Sequence, residues 1–349
     1  MASHPEFDAR TEASTVAAAF AGQIRGRTIL ITGVSPNGLG ESTAEALAAQ
    51  SPKLLILTGR SKDKVQAVID MLQKKHPHGN YRFLELDLSS LAAVRRAAED
   101  IKAYSDVPQI DIVICNAGVM RIPQLELSPE GMEMQFQTNH LGHFLFVNLI
   151  MDRLITAAKN SASGAVRIIN VSSLGVQYSP VRFSDINFTR AQSDIPESER
   201  ANLNTVRAYG MSTEGTYNPI TAYGQSKTAN VLFSLALSHR LFDKYAIKSY
   251  ALHPGGIVTE LWRHTDPELL KQLVAGQAAV GGFKTLKQGS STTLVAALDP
   301  SLPEATSGGD NLYLNDCQFF EITAWARNPQ YAEKLWQLSE RLVGQEFNI

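Results

Sequence analysis

Short β-branched apolar runs alternate with amphipathic stretches along most of this chain. Thr28–Ile31, Leu54–Thr58, Tyr81–Leu86, Ile110–Ile114, Val166–Val171, Ile247–Leu252 and Asn311–Leu314 read as strands. Between them, apolar positions recur at helical spacing over 38–50, 62–75, 89–104, 132–158 and 221–243. Ser89 is the predicted N-cap of the third of these helices. Buried strands separated by helices predict an α/β fold: a single doubly wound, Rossmann-type parallel sheet of about seven strands, with helices on both faces. Ligands of such a sheet sit at the carboxyl ends of its strands.

Three regions do not follow the alternation. Residues 1–25 form an N-terminal extension with a short Ala-rich helix over Thr15–Ile24, predicted to pack on the domain formed by 26–349. Residues 176–217 are polar, and 261–288 are helical and apolar in patches. Long irregular stretches in a compact domain usually carry function, so both are predicted to shape the substrate pocket. Tyr209, Met211 and Tyr217 are candidates in the first. Leu261, Trp262, Leu269, Leu270, Leu273 and Phe283 are candidates for a cover in the second.

Composition narrows the class. Of 349 residues, 44% are hydrophobic and 19% charged, as in globular proteins with a substantial core. A net charge of −2 gives no reason to expect a nucleic-acid partner. No apolar run is long enough to span a bilayer, and the acidic start is unlike a signal peptide. Two cysteines, Cys115 and Cys317, without a CxxC pair, argue against a disulfide scaffold or structural zinc and fit a reducing, cytoplasmic compartment. His140 and His143, three apart, are assigned to helix packing; no metal site is expected.

The chemistry lies in four motifs taken in order. Gly33, Gly38 and Gly40 join the first strand to the first helix, where backbone can approach a pyrophosphate and the helix N-terminus favours it. The second strand ends in Arg60 in place of an acidic residue. An acid there would bind a ribose 2′-hydroxyl, whereas Arg can grip a 2′-phosphate, so NADP(H) is expected over NAD(H). Asp87 either accepts from an adenine amino group or caps the next helix. Tyr223 and Lys227, four apart on a predicted helix, share a face. A free phenol has a pKa of about 10, and a nearby ammonium brings it toward working pH, so Tyr223 can give or take a proton. Ser173, ending the fifth strand, can hydrogen-bond the same substrate oxygen.

With Asn116-Ala117-Gly118, Asn139 and the 253–259 stretch His-Pro-Gly-Gly-Ile-Val-Thr, these motifs resemble the short-chain dehydrogenase/reductase family from about Gly26 to the C-terminus. The 139–144, 226–233 and 334–340 segments look like its retinol dehydrogenase, WW-domain oxidoreductase and chloroplast TIC 32 branch, whose members act on lipophilic alcohols and carbonyls, mostly with NADP(H). The resemblance implies catalytic roles for Asn139, Ser173, Tyr223 and Lys227. It implies cofactor contacts for Gly33, Ser35, Asn37, Gly38, Leu39, Arg60, Asp87, Leu88, Asn116, Ala117, Gly118, Tyr223, Lys227, Pro254, Gly255, Ile257 and Thr259. Asn139 would hold a water beside Lys227, and Asn116 would buttress the strand under the cofactor.

Two departures stand out. Four residues, not three, separate Gly33 from Gly38, which alters the surroundings of Ser35 and Asn37. Ser173 and Tyr223 are 50 apart, so the chain between them loops out. The expected reaction is reduction of a ketone or aldehyde in a lipophilic, mid-sized substrate such as a polyketide, terpenoid, steroid or retinoid. Alternatives are reduction of an imine or activated C=C bond, and an NADP(H)-binding scaffold or redox sensor with little turnover. Either a monomer or a homodimer is compatible with the sequence.

Overall fold

The computed structural model describes residues 2–208, 214–278, 282–306 and 308–349. Eight strands form one sheet: β1 (Thr28–Ile31), β2 (Leu54–Gly59), β3 (Tyr81–Glu85), β4 (Ile112–Cys115), β5 (Arg167–Val171), β6 (Lys248–His253), β7 (Tyr313–Asn315) and β8 (Gln318–Phe319). Their order is β3-β2-β1-β4-β5-β6-β7-β8. The first seven are parallel, as the alternation predicts, and β8 pairs antiparallel with β7. Two residues carry too little periodicity to announce a strand, so β8 is invisible in the sequence.

The central strands β1, β2, β4, β5 and β6 bury side chains on both faces, since successive side chains point to opposite sides, whereas the edge strands β3 and β8 are only partly covered. Ile29 and Ile31 join Leu55, Leu57, Ile112 and Ile114 in one core layer. Leu30 joins Ile56 and Val113 in the other. Each such side chain contributes about 1.5–3 kcal/mol when fully withdrawn from water. The first layer is covered by α1 (Ala13–Ala19), α2 (Ala21–Ile24), α3 (Leu39–Ala48), α4 (Lys62–Lys75), and, much later in the chain, the helix over Leu286–Leu298. The second is covered by α5 (Leu91–Ala103), α6 (Met134–Phe136), α7 (Gly142–Leu149), α8 (Met151–Lys159) and the long helix over Pro219–Tyr245. In chain order the remaining helices are α9 (Leu203–Ala208), α10 (Pro219–Tyr245), α11 (Pro267–Ala278), α12 (Leu286–Leu298) and α13 (Pro329–Val343).

Two expectations are corrected. Ser90, not Ser89, caps α5, its Oγ accepting from Ala93 N–H at 3.4 Å. Ser89 instead donates to Asp87 Oδ1 from both its N–H (3.0 Å) and its hydroxyl (2.6 Å). The helix expected over 132–158 is broken. A π turn at Gln137–Leu141 joins α6 to α7, and α8 departs at Ile150 with a 54° bend. Among the described residues, no single helix is long and apolar enough to cross a membrane.

The N-terminal extension packs on the first core layer, as predicted, with Val16, Ala17 and Ile24 fully buried. Ser3 N–H donates to Asp299 Oδ2 at 2.7 Å, and Gln318 Nε2 donates to the His4 and Phe7 carbonyls at 3.0 and 2.9 Å. The 176–217 insertion holds a buried ion pair between Arg182 and Asp185 (2.5 Å), and Arg182 N–H ties it to α10 by donating to Gln225 Oε1 at 2.9 Å. Cys115 and Cys317 are both buried and unpaired with each other.

Candidate active site

β1 and β4 lie side by side while the connections from them run to opposite edges of the sheet, so a crevice opens at their carboxyl ends. A cleft of about 1350 Å³ occupies this position. That volume exceeds a typical single-ligand pocket and has room for a dinucleotide with a substrate beside it.

Glycines shape its floor. Gly33 has φ +69°, and a Cβ there would lie 2.5 Å from Ala117 Cα, so only glycine fits. At Gly40 a Cβ would come within 2.9 Å of the Gly33 carbonyl. The extra residue of the turn is absorbed locally. Gly38 N–H donates to Ser35 O (3.2 Å), Asn37 takes a left-handed conformation (φ 58°), and its N–H donates to Glu41 Oε2 at 2.9 Å. Ser35, Gly38 and Leu39 therefore line the cleft, whereas Asn37 stands outside its wall. Asn116 Nδ2 donates to the carbonyls of Thr32 (2.9 Å) and Gly33 (3.1 Å), joining the ends of β4 and β1. Asp87, Leu88, Asn116, Ala117 and Gly118 line one side; Pro254, Gly255, Ile257 and Thr259 line the other. Arg60 stands at the far end, exposed and without a hydrogen bond or ion pair among the described residues. Asp87 does not cap α5, which falls to Ser90; its Oδ1 holds Ser89, and the residue lies on the cleft wall.

Ser173, Tyr223 and Lys227 converge on the opposite end. Tyr223 and Lys227 are held by α10, whose N-cap Asn218 accepts from Ile220 and Thr221 N–H. Lys227 is only 4% exposed and its Nζ donates to the Val171 carbonyl at 3.0 Å. Burial pushes this ammonium down to about 7. Its Nζ lies 5.6 Å from the centre of the Tyr223 ring. Ser173 Oγ accepts from Gly175 N–H (3.0 Å) and keeps its own proton to donate.

Gly175 explains how Ser173 and Tyr223 meet. A Cβ on it would lie 3.0 Å from the Tyr223 ring and 3.4 Å from Ser173 Oγ. Gly118 does the same for Lys227 and Asn139: a Cβ there would lie 3.2 Å from Asn139 Oδ1 and 3.6 Å from Lys227 Nζ. Neither glycine's steric role is readable from a sequence, because the crowding partners come from distant elements.

Asn139 sits in the π turn behind the wall. Its side chain brackets Val119, accepting from the N–H at 2.8 Å and donating to the carbonyl at 2.9 Å. Its backbone carbonyl, released from the regular helix pattern, accepts from Asn230 Nδ2 (2.6 Å) and His143 Nδ1 (3.0 Å). Because a carbonyl can only accept, Nδ1 of His143 carries the proton and Nε2 accepts from the Thr32 hydroxyl at 2.8 Å. Thr32 Oγ1 in turn accepts from Asn116 and Ala117 N–H. Burial pushes His143 down to about 4, so it stays neutral. The packing role assigned to it holds, with the addition that it ties the π turn to the cofactor floor. His140 is likewise buried, its Nε2 bonded to Ser339 Oγ at 2.8 Å. Among the described residues, no group of three or more His, Cys, Asp or Glu is placed to hold a metal ion.

The substrate side differs in part from expectation. Tyr217 points away from the cleft: its hydroxyl donates to the Ile122 carbonyl (2.8 Å) and its ring packs edge-on against Phe188. Leu174 and Tyr178 take the wall instead. Tyr209 and Met211 lie outside the described residues. On the other side Leu261, Trp262, Leu273 and Phe283 line the cleft, while Leu269 and Leu270 do not. Trp262 is fixed by Nε1 donating to the Ile257 carbonyl (2.8 Å) and by an edge-on contact with Phe283.

Residues 27–184 match the family model described as short chain dehydrogenase. The oxidoreductase fscI of Fusarium equiseti is 37% identical over 250 residues, covering 72% of this chain and 95% of the relative. The chain belongs to the short-chain dehydrogenase family. Retinol dehydrogenase 14 of Mus musculus is 32% identical, covering 93% of this chain and 87% of its own. A crystal structure from Mycobacterium paratuberculosis superimposes with a TM-score of 0.64 at 28% identity, covering 94% of this chain and 98% of the other. The chain is thus an oxidoreductase of a family that uses a nicotinamide cofactor, and the cleft has the glycine floor such a cofactor needs.

Within this family member, Gly175→Ala is expected to lower turnover about tenfold or more while leaving the fold intact. The new methyl would displace the Tyr223 ring by a few tenths of an ångström, and small misplacements of reacting groups are costly. Steady-state rates alongside a thermal melt check this; unaltered turnover would mean that the ring and Ser173 need no such closeness.

Proposed function

We propose that this protein reduces a ketone or aldehyde in a lipophilic, mid-sized substrate with NADPH. The observation that carries the reading is the meeting of Ser173 and Tyr223 around Gly175, with Lys227 behind them, in the cleft that also reaches Arg60. When bound, the reduced nicotinamide supplies the hydride. Ser173 donates a hydrogen bond to the carbonyl oxygen and fixes it beside Tyr223. The Tyr223 hydroxyl gives that oxygen a proton, so a hydride and a proton together convert the carbonyl to an alcohol. Lys227, kept from water, stabilises the phenolate left behind. Asn139 holds the Val119 backbone, and the bare Gly118 leaves room for Asn139 and Lys227 beside it. Leu39, opening α3 after its N-cap Gly38, offers its N–H to a pyrophosphate.

Arg60 supports the choice of cofactor, since its free guanidinium stands at the end of β2 where a 2′-phosphate would arrive. The apolar wall of Leu174, Leu261, Trp262 and Leu273 supports an apolar substrate, as does the name of the retinol dehydrogenase relative. The test is NADPH and NADH titration of wild type and Arg60→Ala. NADPH binding is expected to weaken about tenfold to a hundredfold and NADH binding to change little. Equal losses for both cofactors would remove Arg60 from the 2′-phosphate. A screen of apolar ketones and aldehydes, followed by NADPH absorbance, then identifies the substrate class.

A further inference from the structure

After Thr259 the chain crosses the mouth of the cleft and returns to the start of α4. Lys64 Nζ and Glu260 Oε2 meet there at 3.0 Å, although the residues are 196 apart in sequence. Three residues on, Arg263 folds back and donates from Nη1 to the Glu260 carbonyl at 3.1 Å. Arg60 and Arg263 both line the cleft. Partial burial, and next the like charge of Arg60, hold the Arg263 guanidinium below its ordinary value, while the Glu260 carboxylate acts the other way. Neither arginine has a carboxylate partner among the described residues, and the ion pair of Glu260 goes to Lys64. Two guanidiniums close enough to repel thus line one opening, one carried from the end of β2 and one from the segment after β6. Such an arrangement is unfavourable alone and becomes favourable around an anion.

We propose that Arg263 is the second arm of the 2′-phosphate site, reaching the phosphate from the substrate side of the cleft. The inference rests on the NADP(H) reading above and adds a consequence to it. Trp262, next in sequence, lies on the substrate wall and is tied to Ile257 beside the cofactor. A phosphate held by Arg263 therefore also fixes Trp262, so the phosphorylated cofactor prepares the substrate wall and the unphosphorylated one does not.

The experiment titrates wild type, Arg60→Ala, Arg263→Ala and Arg263→Lys with NADPH, NADH and 2′,5′-ADP, and follows hydrogen exchange over 260–265. Arg263 is exposed, so its removal leaves the fold in place. Arg263→Ala is expected to weaken NADPH and 2′,5′-ADP about tenfold and NADH less than twofold, with Arg263→Lys recovering part of the loss. Saturating NADPH should slow exchange over 260–265 in wild type but not in Arg263→Ala, and saturating NADH should slow it in neither. Unchanged NADPH binding in Arg263→Ala, or equal losses for NADPH and NADH, would overturn the assignment. If wild type prefers NADPH and only Arg60→Ala removes that preference, the Arg263 assignment alone fails. If wild type shows no preference for NADPH, the NADP(H) reading itself fails.

Discussion

Replacing Lys227 by Met is expected to abolish turnover and, at the same time, stabilise the protein by about 1–3 kcal/mol at neutral pH. The ammonium is 4% exposed, donates to the Val171 carbonyl at 3.0 Å and has no carboxylate partner among the described residues. Its folded pKa of about 7 lies below that of an unfolded lysine, so folding releases a proton wherever the unfolded chain still holds one. Stability therefore rises with pH between about 7 and 10.5, and the penalty is present in full below 7. Methionine has nearly the same shape without the charge, so the variant should lose this rise. Denaturant unfolding at pH 7 and pH 9 for both proteins measures the difference. A Met variant that is less stable at pH 7, with the same pH slope as wild type, would show that the buried charge costs the fold nothing. The same value predicts that wild-type reduction slows as pH rises above about 7, where Lys227 loses the proton that supports the phenolate.

Tyr223→Phe should lower the reduction rate by ~10²–10⁴, the usual cost of losing a general acid. The ring is 6% exposed and wedged against Gly175, so phenylalanine keeps the packing and removes only the hydroxyl. NADPH affinity and the melting curve are expected to stay close to wild type. Single-turnover rates at saturating NADPH separate chemistry from binding. A variant that keeps wild-type turnover would mean that the proton comes from elsewhere.

Much of this site is legible because it lies on regular elements. Tyr223 and Lys227 share a helix face by spacing alone, and the glycine turn announces itself between a strand and a helix. What is not legible depends on chain that periodicity cannot describe. The π turn at Gln137–Leu141 adds one residue to a helix that buries polar as well as apolar side chains, so no one-sided apolar stripe exists for the extra residue to displace. Ser89 and Ser90 are chemically identical, and the cap falls to Ser90 because Asp87 already claims Ser89. Tyr178 and Tyr217 are both aromatic residues in one irregular insertion, and only tertiary hydrogen bonding sends Tyr217 to Ile122 and leaves Tyr178 on the wall. Gly175 looks like an ordinary loop glycine until the Tyr223 ring of α10 arrives beside it, and the motif that singles out Gly118 gives no sign of its closeness to Asn139 and Lys227.

The N-terminal extension has a further consequence for how the molecule is made. Ser3 bonds to Asp299, His4 and Phe7 bond to Gln318, and Asp8 bonds to Cys317, so residues 3–8 dock on partners synthesised about 300 positions later. At ordinary translation speeds of about 5–20 residues per second, roughly 15–60 s pass before those partners exist. During that interval Phe7, Val16 and Phe20, all buried at the end, have an incomplete surface to lie on. The docking of this extension is therefore a late step of folding, completed only when the 299–318 stretch is in place.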